Sequence, residues 1–305
     1  GKGLVASKDF KKGQVLFQET AAIIVHAPSG IVPLQELKDQ ISKMSEEQKN
    51  KFDQLKPRGV FRPDQLAAAL RENCLHELDI FLSNSVHRTD GDQMLFLSNS
   101  LMNHSCAPNV IVHQRYTAAA DELEVRALKD ILKGEEVTQC YTRGLMTSSQ
   151  MKTKLQEDFH FDCKCGVCSG SIPHQDVLIS EISSKINLFY SPLDTLYRKK
   201  KKDWMNEASE LERAVDLSKQ LYIGPFFERL EVYGIFVVAS QMARDPIRLK
   251  KAMDVNKEEL SAIGLIESGW EKGYKILEAT VERWSSEFQS KSKPTKEEID
   301  DFFID

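Results

Sequence analysis

Hydrophobic and polar positions along the first 26 residues follow the pattern of strands. Residues 3–7 read as a short strand, Asp9, Lys12 and Gly13 supply turn chemistry, and residues 14–25 are rich in β-branched and aromatic side chains up to a break at Pro28-Ser29-Gly30. The period then changes. Leu34, Leu37 and Ile41 recur at helical spacing. Ser45 followed three residues later by Gln48 is a helix-start signature, and Pro63 opens another helix running through residues 66–70. Strand-like runs return near Ile80 and at residues 94–97, 110–116 and 123–127, and Lys133-Gly134 makes a turn before a last run at 136–141. From about Gln175 the pattern is helical almost throughout. Candidate helices cover residues 204–221, 226–243, 257–270 and 272–284, punctuated by Gly224-Pro225, Asp245-Pro246 and Gly264. Helix pairs of this length predict a helical-repeat layout, with a boundary near residues 169–174.

Composition narrows the class. At 305 residues the chain is one large domain or two of ordinary size, and 41% hydrophobic with 29% charged residues is ordinary for a globular protein. The net charge of −5 argues against a partner held by phosphate electrostatics, so no direct nucleic-acid binding is expected. The apolar run at 233–239 is too short to cross a membrane, and the first residues lack the apolar core of a signal peptide. The five basic residues from Arg198 to Lys202 read first as a solvated loop and second as a localisation or docking signal.

Three of the six cysteines stand within Cys163-Lys164-Cys165-Gly166-Val167-Cys168. They are too close together for an orderly set of disulfides, but all three can wrap one metal ion. Cys74, Cys106, Cys140 and His160 are the alternatives for a fourth ligand, and Cys74 and Cys140 read better as buried small hydrophobes.

The segment Asn103-His104-Ser105-Cys106-Ala107-Pro108-Asn109, with Gly1-Lys2-Gly3 before it and Glu135-Glu136-Val137-Thr138-Gln139-Cys140-Tyr141 after it, resembles the SET domain, and the three pieces come in that family's order. The cysteine cluster resembles a post-SET zinc motif, and the helical remainder is similar to that of the SET- and MYND-containing (SMYD) lysine methyltransferases. The resemblance implies an α+β fold: a β-rich SET domain over residues 1–161 with a helical insert at about 31–78, a post-SET zinc segment at 162–173, and an all-α helical-repeat domain at 174–305.

It also implies the chemistry. The cofactor is S-adenosylmethionine, leaving as S-adenosylhomocysteine, and structural zinc is held by Cys163, Cys165, Cys168 and, nominated by the family, Cys106. Gly1, Lys2 and Gly3 bring backbone close to the cofactor carboxylate. Asn103 and His104 contact its methionyl group and adenine. Asn84, on a preceding strand in the family, holds its amino-acid end, and Phe161 stacks on adenine. Tyr141 is the catalytic residue, pointing its hydroxyl at the transferring methyl and the lysine amine. It orients rather than acting as a strong base, because a phenol is mostly protonated at neutral pH. Phe159 and Tyr141 line the lysine channel. A phenylalanine at 159, where the family often has tyrosine, leans toward di- or trimethylation.

Two departures are visible. Between His26 and Cys74 there is neither cysteine nor histidine, so the MYND finger that SMYD proteins carry after their first strands is not seen. Arg143 stands where the family often has an acidic residue. The expectation is a protein-lysine methyltransferase acting on histone tails or non-histone lysine peptides, monomeric, in the cytoplasm, nucleus or both. A catalytically weak scaffold that binds partner peptides through its helical domain is the rival. A SET enzyme acting on another nucleophile such as histidine is a third reading.

Overall fold

The computed structural model describes residues 3–59, 61, 63–87, 91–116, 121–142, 144–170, 176–189, 201–219, 226–262 and 268–290. They form two compact units, residues 1–141 with 152–165 and residues 142–151 with 166–305.

The first unit contains three small sheets. Strands β1 (Leu4–Val5), β6 (Asn103–His104) and β9 (Glu136–Gln139) make one, in the order β1-β9-β6. Strands β2 (Val15–Thr20), β7 (Val110–Tyr116) and β8 (Asp121–Ala127) make the second, in the order β2-β8-β7. Strands β3 (Ile23–His26), β4 (Val86–His87) and β5 (Asp92–Leu95) make the third, in the order β3-β5-β4. The run at 14–25 is thus two strands in different sheets. The chain changes partner between Ala21, whose N–H goes to the Asp121 carbonyl, and Ala22, whose N–H goes to the Leu95 carbonyl.

Between β3 and β4 lie helices α1 (Leu34–Ser42), α2 (Glu46–Phe52), α3 (Pro63–Arg71) and α4 (Leu75–Asn84). Ser45 and Gln48 close a reciprocal capping box on α2, as the sequence signature predicts. Leu37, Phe52, Ala69, Leu78 and Phe81 from these helices bury themselves against Ile23, Val25 and Leu95 of the third sheet. A second core joins the other two sheets through Phe96, Met102, Val110, Leu123, Val125 and Val137.

The strand expected near Ile80 is a correction: that segment is α4. Ile80, Phe81 and Leu82 form a short apolar run that mimics a buried strand, and Leu78, Ile80, Phe81 and Ser83 are all buried. A helix enclosed on most sides loses its 3.6-residue signal.

Helix α5 (Ser148–Phe159) falls partly in each unit. The hydrophobic pattern does not announce it, but Thr147 and Gln150 form a reciprocal cap at its start. The second unit also contains α6 (Asp176–Phe189), α7 (Lys201–Ser218), α8 (Phe226–Met242), α9 (Pro246–Ala262) and α10 (Ser268–Ser290), each packing on the next in sequence. The boundaries expected at 257–270 and 272–284 are also corrected. Pro246 starts α9 rather than interrupting it, because Asp245 Oδ1 accepts the N–H groups of Ile247 and Arg248 and a proline at the first helical position lacks only an N–H that has no partner there. Gly264, Gly224-Pro225 and residues 198–200 of the basic run lie outside the described residues. No helix among the described residues is long and apolar enough to cross a membrane.

Candidate active site and thiol cluster

Three segments far apart in sequence become neighbours in one sheet. In β1, Leu4 pairs antiparallel with Val137 of β9, while in β6 Asn103 and His104 pair in parallel with Thr138 and Gln139. Asn109 locks this arrangement. Its amide nitrogen donates to the Glu136 carbonyl at 2.8 Å and its oxygen accepts the Thr138 N–H at 2.8 Å. Glu19 contributes from β2 by accepting the N–H groups of Ser98 and Asn99 at 2.7 and 3.0 Å, which holds the turn that leads into β6.

At Gly3 an added Cβ would force the side-chain ends of Glu136 and Asn103 to shift, since it would meet Glu136 Oε1 at 2.6 Å and Asn103 Nδ2 at 2.7 Å. Those two atoms are themselves hydrogen-bonded, with Asn103 donating to Glu136 at 2.7 Å. Gly1 and Lys2 lie outside the described residues, as does Arg143.

Tyr141 follows β9. Its backbone N–H donates to His104 Nδ1 at 3.0 Å, and its hydroxyl donates to the Met102 carbonyl at 2.6 Å. Burial pushes the phenol up to about 12, with the Arg58 cation opposing the rise and Glu136 adding to it, so the group is a hydrogen-bond donor at neutral pH. Burial also holds His104 down to about 4, leaving a neutral imidazole. With Nδ1 accepting from Tyr141, Nε2 faces the Cys106 sulfur at 3.4 Å. Both ring nitrogens of His104 are therefore engaged within the protein, which leaves its ring face and backbone for a ligand.

Two more aromatic rings stand beside Tyr141 and His104. Tyr141 lies 5.2 Å from Phe159 and 6.3 Å from Phe161, and His104 lies 5.3 Å from Tyr141 and 6.1 Å from Phe161, centroid to centroid. His160 makes this possible by adopting a left-handed φ of 56°, which ends α5 between the two phenylalanines. Its own Nδ1 is 3.1 Å from the Gln156 carbonyl.

Asn84 is not on a strand. It is the last residue of α4, and its amide nitrogen donates to the Ile80 carbonyl at 2.8 Å and to the Lys56 carbonyl at 3.2 Å. Its side-chain oxygen rather than its amide hydrogens is what it has left to offer a ligand.

Arg58 has no place in the sequence reading and is central here. Its guanidinium lies 4.8 Å from the Phe159 ring centroid, donates to the Asp158 carbonyl at 3.2 Å, and also donates to the Ser83 carbonyl. Burial pushes it below its ordinary value, while Tyr141, Asp79 and Asp158 favour the cation. Asp79 fixes the loop by accepting the N–H groups of Arg58 and Gly59 at 3.0 and 2.9 Å. The signal that could have found it is slight: one arginine between Pro57 and Gly59 in a loop too short to bury itself.

The sulfurs of Cys106, Cys163, Cys165 and Cys168 all lie within 4.8 Å of one another, a group that could hold a metal ion. Cys74, Cys140 and His160 are outside this group. Cys74 is buried as expected, whereas Cys140 is only half-buried. The donor set suits zinc, whose four sulfur ligands at about 2.3 Å stand roughly 3.8 Å apart in a tetrahedron. Hydrogen bonds from Cys163 and Cys165, together with burial, push the Cys106 thiol up, and Cys163 rises to about 12. Thiols so crowded resist ionisation unless a cation compensates them, which is the condition a bound divalent ion meets.

Residues 1–142 match the family model of the SET domain. The chain is 28% identical over 169 residues to histone-lysine N-methyltransferase set5 of Schizosaccharomyces pombe, covering 55% of this chain and 47% of that protein. It is 37% identical over 87 residues to the human histone-lysine N-methyltransferase SMYD3, covering 28% and 19%. It is 33% identical over 125 residues to the N-lysine methyltransferase SMYD2-B of Xenopus laevis, covering 33% and 28%. The chain thus spans less than half the length of these relatives. The SET domain of LSMT bound to lysine and AdoHcy aligns over 89% of this chain and 91% of its own, at 14% identity and a TM-score of 0.35.

Proposed function

We propose that this chain, whose residues 1–142 form a SET domain, is a protein-lysine N-methyltransferase that uses S-adenosylmethionine and carries structural zinc. One observation supports the reading: β1, β6 and β9 bring the segments bearing Gly3, Asn103, His104 and Tyr141 together, with the rings of Phe159 and Phe161 beside Tyr141.

In the reaction the lysine nitrogen forms a bond to the sulfonium methyl carbon, the carbon–sulfur bond breaks with its electrons going to sulfur, and the new ammonium gives its proton to water. Gly3 and the backbone before it, Asn84, Asn103, His104 and Phe161 would hold the donor, which would supply the methyl group. Tyr141 orients methyl and amine through its hydroxyl oxygen, whose proton is already committed to the Met102 carbonyl. Lysine must arrive as the free base although its ordinary pKa is about 10.4. The aromatic wall disfavours the ammonium by desolvation, and the Arg58 cation behind Phe159 disfavours it electrostatically. Phe159 carries no hydroxyl to hold the amine or a water, which favours di- or trimethyl products.

Cys106, Cys163, Cys165 and Cys168 would hold zinc, and the ion would supply a rigid clamp between the segment bearing Asn103 and His104 and the loop after Phe161. The proposed division is a SET domain at 1–161 with its insert, a post-SET segment at 162–173 and a helical domain at 174–305; the insert helices themselves continue to Asn84. Histone tails or other lysine-bearing proteins are the proposed substrates, in nucleus or cytoplasm.

The test is transfer of labelled methyl from S-adenosylmethionine to core histones and to a cell extract, with mass spectrometry of the product. The reading expects methyl on lysine side chains, lost when Tyr141 is changed to Phe. Methyl on histidine would favour the other nucleophile, and cofactor binding with no transfer to either acceptor would favour the scaffold.

A further inference from the structure

We propose that His104 is a positioning residue that couples the thiolate site to Tyr141 by donating its Nε2–H to the Cys106 sulfur. This rests on the reading that Cys106, Cys163, Cys165 and Cys168 bind zinc.

The argument begins with the proton. The backbone N–H of Tyr141 points at His104 Nδ1 from 3.0 Å. An N–H can be accepted only by a bare nitrogen, so Nδ1 carries no hydrogen and the imidazole proton sits on Nε2. Nε2 lies 3.4 Å from Cys106 Sγ, an ordinary length for an N–H···S bond. The ring has little freedom to swing, since Tyr141 stands 5.3 Å away, Phe161 stands 6.1 Å away, and His104 itself is 8% exposed. One imidazole therefore joins a metal ligand to the backbone of the residue that orients the reaction.

The coupling acts in both directions. A thiol is a weak acceptor and a metal-bound thiolate a strong one, so loading the site strengthens the Nε2–H···Sγ bond and fixes the ring that accepts from Tyr141. Conversely, the donated hydrogen bond stabilises the thiolate. Loss of such an outer partner weakens metal binding by about 10- to 100-fold.

The experiment uses the full chain loaded with cobalt in place of zinc, with His104→Phe and His104→Gln beside the wild type. Phe keeps the ring volume without the N–H, and Gln puts an amide N–H near the place of Nε2. A hydrogen bond lowers the energy of thiolate electrons, so its loss moves the thiolate-to-cobalt charge-transfer band to longer wavelength. The proposal expects that shift and a roughly 10- to 100-fold loss in competition against a metal chelator for His104→Phe, both largely restored in His104→Gln. A band and affinity unchanged in His104→Phe would overturn it. In case that variant fails to fold, cadmium-113 and nitrogen-15 resonance of the wild-type protein reads the same bond directly. Cadmium coupled to a proton on Nε2 of His104 is expected, and a proton on Nδ1 overturns the proposal. A wild type that binds cobalt without any thiolate band would instead sink the zinc reading itself, and this inference with it.

Discussion

Replacing Arg58 with methionine removes the charge behind the aromatic wall and keeps most of the side-chain volume. The guanidinium reaches the Ser83 and Asp158 carbonyls, which lie in the last turns of α4 and α5, where carbonyls lack intrahelical partners. It therefore serves two helix ends at once and sits where both helix dipoles favour a cation. Two charge-assisted hydrogen bonds at the low end of about 1.5 kcal/mol each, plus a cation–π contact of about 0.5 kcal/mol, give about 3.5 kcal/mol. Arg58 is half-buried, so water reclaims part of this, and we expect about 2–3 kcal/mol. Tryptophan fluorescence is the wrong assay, because Trp204, Trp270 and Trp284 all belong to the second unit. Hydrogen exchange at the C-terminal turns of α4 and α5 reads the effect where it arises, and should quicken roughly 30- to 150-fold in Arg58→Met. Arg58→Lys keeps the charge but not the fork and should fall between. Less than about threefold change at both helix ends would refute the reasoning.

Other consequences follow from the same contacts. Tyr141→Phe should lower methyl transfer by about 100-fold or more while retaining S-adenosylhomocysteine binding by calorimetry, and cost about 1 kcal/mol through the lost bond to Met102. An unfolded histidine takes up a proton near 6.5 and His104 only near about 4, so the unfolded state binds more protons between these values. Stability should therefore fall as pH drops through that window, by about 3 kcal/mol from this group, seen in urea titrations as a slope that His104→Gln lacks. Ser45→Ala should cost about 1 kcal/mol in thermal or urea unfolding by opening the capping box of α2. Chelating the metal at neutral pH should lower the midpoint of thermal unfolding, and added zinc should restore it.

What was legible in the sequence was chemistry carried by residue type at short spacing. The cysteine cluster, the Asn103–Asn109 segment, Tyr141 and the Ser45–Gln48 cap all depend on neighbours a few positions away. The convergence of Cys106 with Cys163, Cys165 and Cys168 follows from the family resemblance, whereas the parallel pairing of β6 with β9 leaves no mark of its own, because it joins distant residues over two positions each, too short a strand for periodicity. The same limit hid Arg58, whose partners sit on two different helices. Helix α4 shows no helical period because burial on several faces erases it, and α5 is signalled only by the Thr147–Gln150 cap at its start. Asn84 kept its expected neighbourhood in sequence but ends a helix, so its amide hydrogens serve backbone carbonyls.

Calorimetric titration of the zinc-loaded protein with S-adenosylhomocysteine addresses the central claim most directly. The account predicts one site per chain that survives Tyr141→Phe and weakens in Gly3→Ala, where a Cβ must displace Glu136 or Asn103. Absence of binding by the loaded wild type, or binding indifferent to Gly3→Ala, would contradict it.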